Sequence, residues 1–211
     1  MTRYSRQRML AEVGDEGQRQ LSAARVLIVG VGGLGSPVAM YLAAAGVGTI
    51  RLADDDSVSL DNLQRQILYT EADISSPKAE CAARRLRAMN SAITVEAHVV
   101  RVDKDNIRSL AEGCDVVVDG CDNFATRYIV GDATAEMGIP YVYGAICEFE
   151  GQAAVEGYSA PKGVMGPTAA FTAAVQASET LKIICGYGAT LAGRLWSTDM
   201  RTMQTFISEL P

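Results

Sequence analysis

Apolar residues in this chain fall into short unbroken runs separated by longer mixed stretches. The runs are rich in Val, Ile and Leu, as at Val26, Leu27, Ile28 and Val29. Such runs read as strands buried on both faces. They predict strands over 25–29, 49–53, 115–118 and 140–146, and an alternating strand over 93–99. A further strand is expected over 152–158, and two short ones within 195–208. Between them, helices are expected over 34–45, 105–111, 124–137 and 168–184, the last bounded by Pro167 and Gly186. Pro77 opens another that runs to about Met89, with Ser75 or Ser76 as its cap. The stretch 3–21 reads as polar helix broken near Gly14 and Gly17, and 54–74 carries few helix signals. Strands alternating with helices imply an α/β protein with a mainly parallel sheet covered on both faces, and antiparallel strands at the C-terminal end.

The first run ends in four glycines, Gly30, Gly32, Gly33 and Gly35, just before a helix. Glycines at a strand-to-helix turn let the backbone approach a phosphate, and the amides of the helix start point at it. Asp54 follows at the end of the next apolar run, where a ribose-binding carboxylate belongs in a nucleotide-binding β-α-β unit. The expected architecture is therefore Rossmann-like and doubly wound.

Composition narrows the picture. At 211 residues, 48% hydrophobic and 21% charged, the chain has the size and balance of one globular domain. We expect a single domain over 1–211 with an N-terminal helical arm over about 1–24. A net charge of −6 argues against a nucleic-acid footprint, which Lys and Arg would dominate. No stretch approaches the roughly twenty apolar residues of a membrane span. The basic start, Met1 to Arg8, lacks the apolar core of a secretory signal, which points to a cytoplasmic protein. Cys81, Cys114, Cys121, Cys147 and Cys185 form no C-x-x-C pair and are expected to be reduced thiols. The lone His98 falls in an expected strand, so no zinc site is expected.

Ligands of such sheets sit beyond the carboxyl ends of the strands. Three segments face that crevice: the glycine loop, the stretch after Asp54 containing Asn62, Arg65 and Gln66, and the stretch after Val118 containing Asp122 and Asn123. Lys78 opens a helix, where a cation opposes the helix dipole unless an anion is near. Arg65, Lys78, Asp122 and the glycines together suit a triphosphate with a metal ion: cations neutralise phosphate, and a carboxylate holds Mg²⁺ among oxygens.

In this order, RYSRQ from Arg3, the glycine loop, Asp54, Asp55 and Asp56, NLQRQ from Asn62, Pro77 with Lys78, and Cys121, Asp122 and Asn123 resemble the ThiF/MoeB/HesA family. These are bacterial relatives of the ubiquitin-activating enzymes. Glu150 to Gln152, Gly166 with Pro167, and Leu181 with Lys182 are similar too, so the resemblance covers about 3–208. It implies adenylation of the C-terminal Gly-Gly carboxylate of a small ubiquitin-like sulfur carrier of ThiS or MoaD type, within thiamine or molybdopterin sulfur transfer. It implies that the glycine loop cradles ATP, Asp54 binds the ribose, Asn62, Arg65 and Lys78 contact the triphosphate, and Asp122 holds Mg²⁺. Arg6 resembles an arginine that enters the neighbouring subunit's site, which implies a homodimer. The candidate catalytic set is Arg6, Arg65, Lys78 and Asp122. The nucleotide set is Gly30, Gly32, Gly33, Gly35, Asp54, Asp56, Asn62, Arg65, Gln66, Lys78, Asp122, Asn123 and Arg127.

The chain departs from the family pattern in two ways. It lacks the two C-x-x-C pairs of a structural zinc, and little chain lies between Gly151 and Gly166, so most of the usual crossover loop is missing. Clamping of a carrier tail, and any later step through a loop cysteine, lose their usual basis. Blander roles remain open at this point. Asp122 could cap the helix after it, Arg127 could pair with an acid, Arg6 could be a surface charge, and Cys147 could serve packing. Competing functions are adenylation of another carboxylate, an inactive nucleotide-binding scaffold, and an NAD-dependent oxidoreductase, the last supported only by the glycine loop and Asp54.

Overall fold

The computed structural model of the protein describes residues 3–155 and 166–210. Its strands are β1 (Arg25–Val29), β2 (Thr49–Ala53), β3 (Thr94–His98), β4 (Val116–Asp119), β5 (Tyr141–Cys147), β6 (Glu150–Val155), β7 (Arg194–Asp199) and β8 (Gln204–Glu209). They form one sheet in the order β3-β2-β1-β4-β5-β6-β7-β8. Pairings from β3 across to β5 are parallel, and those from β5 to β8 are antiparallel. The doubly wound sheet with an antiparallel C-terminal end is the one expected.

Helices α1 (Ser5–Arg8), α2 (Gly14–Ala23), α3 (Gly35–Ala45), α4 (Lys78–Met89), α5 (Ile107–Ala111), α6 (Phe124–Met137) and α7 (Gly166–Cys185) complete the fold. Successive strand residues point to opposite faces, and β1 shows what this does to the core. Val26 and Ile28 join the cluster that includes Val38 and Leu42 of α3, Leu86 of α4 and Ala173 of α7. Leu27 and Val29 join the opposite cluster with Ile107 of α5 and Val130 of α6. A strand buried on both sides has no polar face, which is why its sequence is an unbroken apolar run.

Several local expectations need correction. The arm is two helices, and Gly17 lies inside α2 rather than at a break. A Cβ there would lie 3.2 Å from Val13 and 3.5 Å from Cys185 Sγ, so this glycine permits close approach to α7. Neither Ser75 nor Ser76 caps α4, whose N-cap is Pro77 with no side-chain cap bond. Both serines are instead tied to Val58, through Ser75 N–H to Val58 O and Val58 N–H to Ser76 O at 2.9 Å each. The Lys78 amide of α4 donates to Asp56 O at 2.9 Å, so a backbone carbonyl does the work of a cap. The stretch 54–74 contains two short 3-10 turns, Leu60–Asn62 and Glu71–Asp73. The strand expected over 152–158 begins earlier, at Glu150, and positions 156–158 lie outside the described residues, as does Lys162 of the shortened loop region.

Candidate active site

β2 and β3 extend the sheet to one side of β1, and β4 lies on the other. The chain connections therefore part between β1 and β4, and a crevice opens at their carboxyl ends. The glycine loop follows β1 and the turn Gly120 to Asn123 follows β4, and together they line a cleft of about 530 Å³. Around it stand Gly30, Gly32, Gly33, Asp54, Asp56, Arg65, Gln66, Lys78, Asp122, Asn123 and Arg127 of the sequence-derived set. Gly35, Asn62 and Arg6 are not in that lining.

The glycines divide by purpose. Gly30 has φ +84°, and a Cβ on it would lie 2.7 Å from Gly120 O. A Cβ on Gly35 would lie 1.8 Å from Gly30 O. These two, with Gly120, let the loops after β1 and β4 touch. Gly33 has room in the protein, with the nearest atom at 3.5 Å on Arg65, whereas a Cβ on Gly32 would press on the Gln66 side chain at 3.3 Å. No side chain caps the start of α3, and its N-cap residue Leu34 lines the cleft, which puts the positive end of the helix dipole beside it.

Asp54 supports the loop from the side. Its Oδ2 accepts from Val31 N–H at 2.6 Å and its Oδ1 from Asp56 N–H at 2.8 Å. Burial pushes its carboxyl above the usual range, against those two amides and the Lys78 charge. Lys78 Nζ lies 2.8 Å from Asp56 Oδ2, with the lysine side chain 6% exposed and the aspartate 66%. Arg65 donates to Asp61 O at 3.0 Å while its stem covers Gly33. Asn62 Oδ1 and Gln66 Oε1 are buried without a hydrogen-bond partner. Such acceptors suit ordered water, and the amide of Gln66, which lines the cleft, would present N–H to a phosphate if turned over.

On the other wall, the cap of α6 is Asn123, whose side chain accepts from Thr126 N–H at 3.0 Å. Asp122 is thereby not the cap; it stands exposed in the cleft. Arg127, for which two roles were open, pairs with an acid: Nε lies 3.0 Å from Asp119 Oδ2. Its Nη2 donates to Cys121 O at 2.7 Å and Gly144 O at 2.8 Å, so this cation is spent on holding the floor together. The Cys121 thiol is buried and pushed far above its ordinary value, which keeps it protonated and poorly nucleophilic. Cys147 ends β5, one residue beyond the cleft-lining Ile146.

Arg6 lies elsewhere. Gln7 of α1 donates to Ala45 O at 2.8 Å, and the Tyr4 ring packs against Gly46, both at the carboxyl end of α3. The glycine loop is at the other end, an 11-residue helix away, or roughly 16 Å at 1.5 Å per residue. Sequence reasoning missed Gly120 and the residues after β3, Val100, Arg101 and Val102, which line the cleft beyond Asp54. The apolar run of β4 ending in a glycine was the available signal for Gly120; the loop after β3 carries no comparable one.

A model of the family described as "ThiF family" matches residues 4–156. The chain is 42% identical over 223 residues to "SAMP-activating enzyme E1" of Haloferax volcanii, covering 96% of this chain and 83% of that one. It is 41% identical over 225 residues to "Sulfur carrier protein adenylyltransferase" of Thermus thermophilus, covering 94% and 83%. Among solved structures, E. coli MccB with ATP superposes with a TM-score of 0.89 at 23% identity, covering 100% of this chain and 72% of the other, a likeness of fold. The chain belongs to the ThiF family.

Proposed function

We propose that this chain is an ATP-dependent adenylyltransferase that activates the C-terminal Gly-Gly carboxylate of a small ubiquitin-like sulfur carrier. The observation that carries the reading is the gathering of the uncapped α3 start, Arg65, Lys78 and Asp122 around one cleft. The strand order supplies a direction. Residues after β3 and Asp54 after β2 take the nucleoside, the loop after β1 takes the phosphates, and the turn after β4 faces the incoming carboxylate.

In this reading a carboxylate oxygen attacks the α-phosphorus in line, the bond to the bridging oxygen breaks, and pyrophosphate leaves. Negative charge builds on phosphoryl oxygens and on the leaving group. Lys78, Arg65 and the loop amides are already fixed there, and preorganised charge lowers such a barrier. Asp122, a carboxylate exposed in an oxygen-rich cleft, fits Mg²⁺, which when bound supplies further neutralisation of phosphate charge. Cys121 is too deeply buried and too firmly protonated to act, and the step requires no enzyme nucleophile.

The same reading includes a cytoplasmic homodimer with a single adenylation domain per chain. Arg6 then reaches the partner's cleft, since its own lies beyond α3. A panel of carriers with free Gly-Gly ends, assayed by ATP–pyrophosphate exchange, tests the proposal. Exchange with one intact carrier, lost on truncating its tail and lost in Arg65→Ala and Asp122→Ala proteins that remain folded, is expected. Full exchange in both variants would overturn the mechanism. Exchange with other carboxylates but no carrier would move the reading to a different substrate, which the short stretch between Gly151 and Gly166 favours.

A further inference from the structure

Tyr69 belongs to none of the nucleotide motifs, yet it lies where three of their elements meet. The residue is 4% exposed. Its phenol donates to Val31 O at 2.8 Å and lies 3.3 Å from Lys78 O. Val31 sits in the glycine loop between Gly30 and Gly32, and its own N–H is held by Asp54 Oδ2 at 2.6 Å. The Val31 peptide is thus gripped at the N–H by a carboxylate from the end of β2 and at the C=O by Tyr69. Lys78 is the first residue of α4, and Tyr69 itself is tied by its N–H to Gln66 O at 3.1 Å. Glycine loop and α4 start are therefore linked through one hydroxyl, and the Asn62 to Gln66 turn is joined to them by the backbone of the same residue. Burial and the Asp54 charge push its ionisation far up, so it stays a donor.

Glycine loops are pliant by composition. A loop whose amides must meet the same phosphates as a lysine from another element needs its separation from that element fixed. We propose that Tyr69 is a positioning residue for the nucleotide, its hydroxyl holding the glycine loop against the start of α4 so that loop amides and Lys78 engage one phosphate chain. The inference rests on the ATP reading above.

Tyr69→Phe keeps the buried ring and removes the donor. Mg-ATP binding to the full chain, measured calorimetrically without any carrier, reads the effect directly. Affinity is expected to fall about five- to tenfold, the size of one lost hydrogen bond. With an active carrier, KM for ATP should rise by the same factor while kcat stays within about twofold. Replacing Tyr69 by 4-aminophenylalanine, which keeps an N–H donor on the same ring, should recover most of the affinity. Wild-type affinity in a folded Tyr69→Phe protein, with only its Tm lowered, would overturn the proposal by making the contact purely structural. Failure of the 4-amino residue to improve on Phe would overturn it as well. If the wild-type chain binds no Mg-ATP, the ATP reading itself falls and this inference with it, an outcome distinct from equal binding by both proteins.

Discussion

Asp119 and Arg127 form an ion pair shut off from solvent, with Nε 3.0 Å from Oδ2 and side chains 0% and 2% exposed. Asp119 Oδ1 also accepts from Cys121 N–H at 2.8 Å, so the pair anchors the turn that carries Asp122. Burial pushes the Asp119 carboxyl up, and the Arg127 charge works against that. Arg127→Met leaves the carboxylate without its paired cation and pushes it higher still. A carboxyl whose folded value exceeds its unfolded one stabilises at acid pH and loses that stabilisation as pH rises through the folded value. The gap in stability between wild type and Arg127→Met should therefore be small at acid pH, where the carboxyl is protonated in both proteins, and widen by up to about 1.4 kcal/mol per pH unit once pH passes the wild-type carboxyl's own raised folded value. It should level off at about 3–5 kcal/mol, the cost of breaking a buried pair. Urea denaturation across that range checks it, and a gap independent of pH would refute the assignment.

The glycine loop makes a sharper prediction because its members differ in what surrounds them. Gly35→Ala places a Cβ 1.8 Å from Gly30 O, a backbone atom locked against Gly120. It should lower stability by more than about 3 kcal/mol or abolish folding. Gly33→Ala meets nothing closer than 3.5 Å, on the flexible Arg65 stem, and its backbone is not left-handed. Its Tm should stay near wild type, while Mg-ATP affinity drops about tenfold because the methyl occupies space proposed for phosphate. Unchanged ATP affinity in Gly33→Ala would mean that this glycine serves the turn alone.

These contrasts show what the chain's pattern reveals and what it hides. Strands such as β1 and β4 are legible because burial on both faces forces an unbroken apolar run, and the parallel order follows from the helices between them. The places of Gly30 and Asp54 beside the cleft are legible because each follows the end of an apolar run, and that of Lys78 because Pro77 marks a helix start there. Gly120 is not, since its need for a bare Cα arises from contact with Gly30, 90 positions away in sequence. Tyr69 reads as an ordinary apolar aromatic until its hydroxyl is seen to meet Val31 O. The capping serines failed for a related reason: pairing of Ser75 and Ser76 with Val58 is a tertiary event that outweighs local helix-start preference.

Asn123 and Asp122 separate structure from chemistry at adjacent positions. Asn123 caps α6 through Thr126 N–H at 3.0 Å, so Asn123→Ala should cost about 1 kcal/mol of stability. Asp122→Ala removes an exposed side chain that caps nothing, and should change stability by less than about 0.5 kcal/mol. Its pyrophosphate exchange should nevertheless vanish if it holds Mg²⁺ as proposed. Thermal melts and exchange assays on both variants test the pair. A large stability loss in Asp122→Ala would assign that carboxylate to the fold.

Arg6 allows a test of whether the proposed site is shared between subunits. Its helix is pinned by Gln7 and Tyr4 to the carboxyl end of α3, so it reaches no phosphate in its own cleft. If the partner's cleft receives it, Arg6→Ala and Asp122→Ala homodimers should both be inactive. Mixed dimers formed by unfolding and refolding the two together would pair an intact cleft with an intact arginine at one of their two sites. Random pairing then returns about a quarter of wild-type exchange activity, because half the dimers are mixed and each has one working site. A site that used its own Arg6 would show no recovery, since every chain would carry one defect within its own site. Recovery near a quarter, absent when either variant is refolded alone, would make the dimer a requirement of the chemistry.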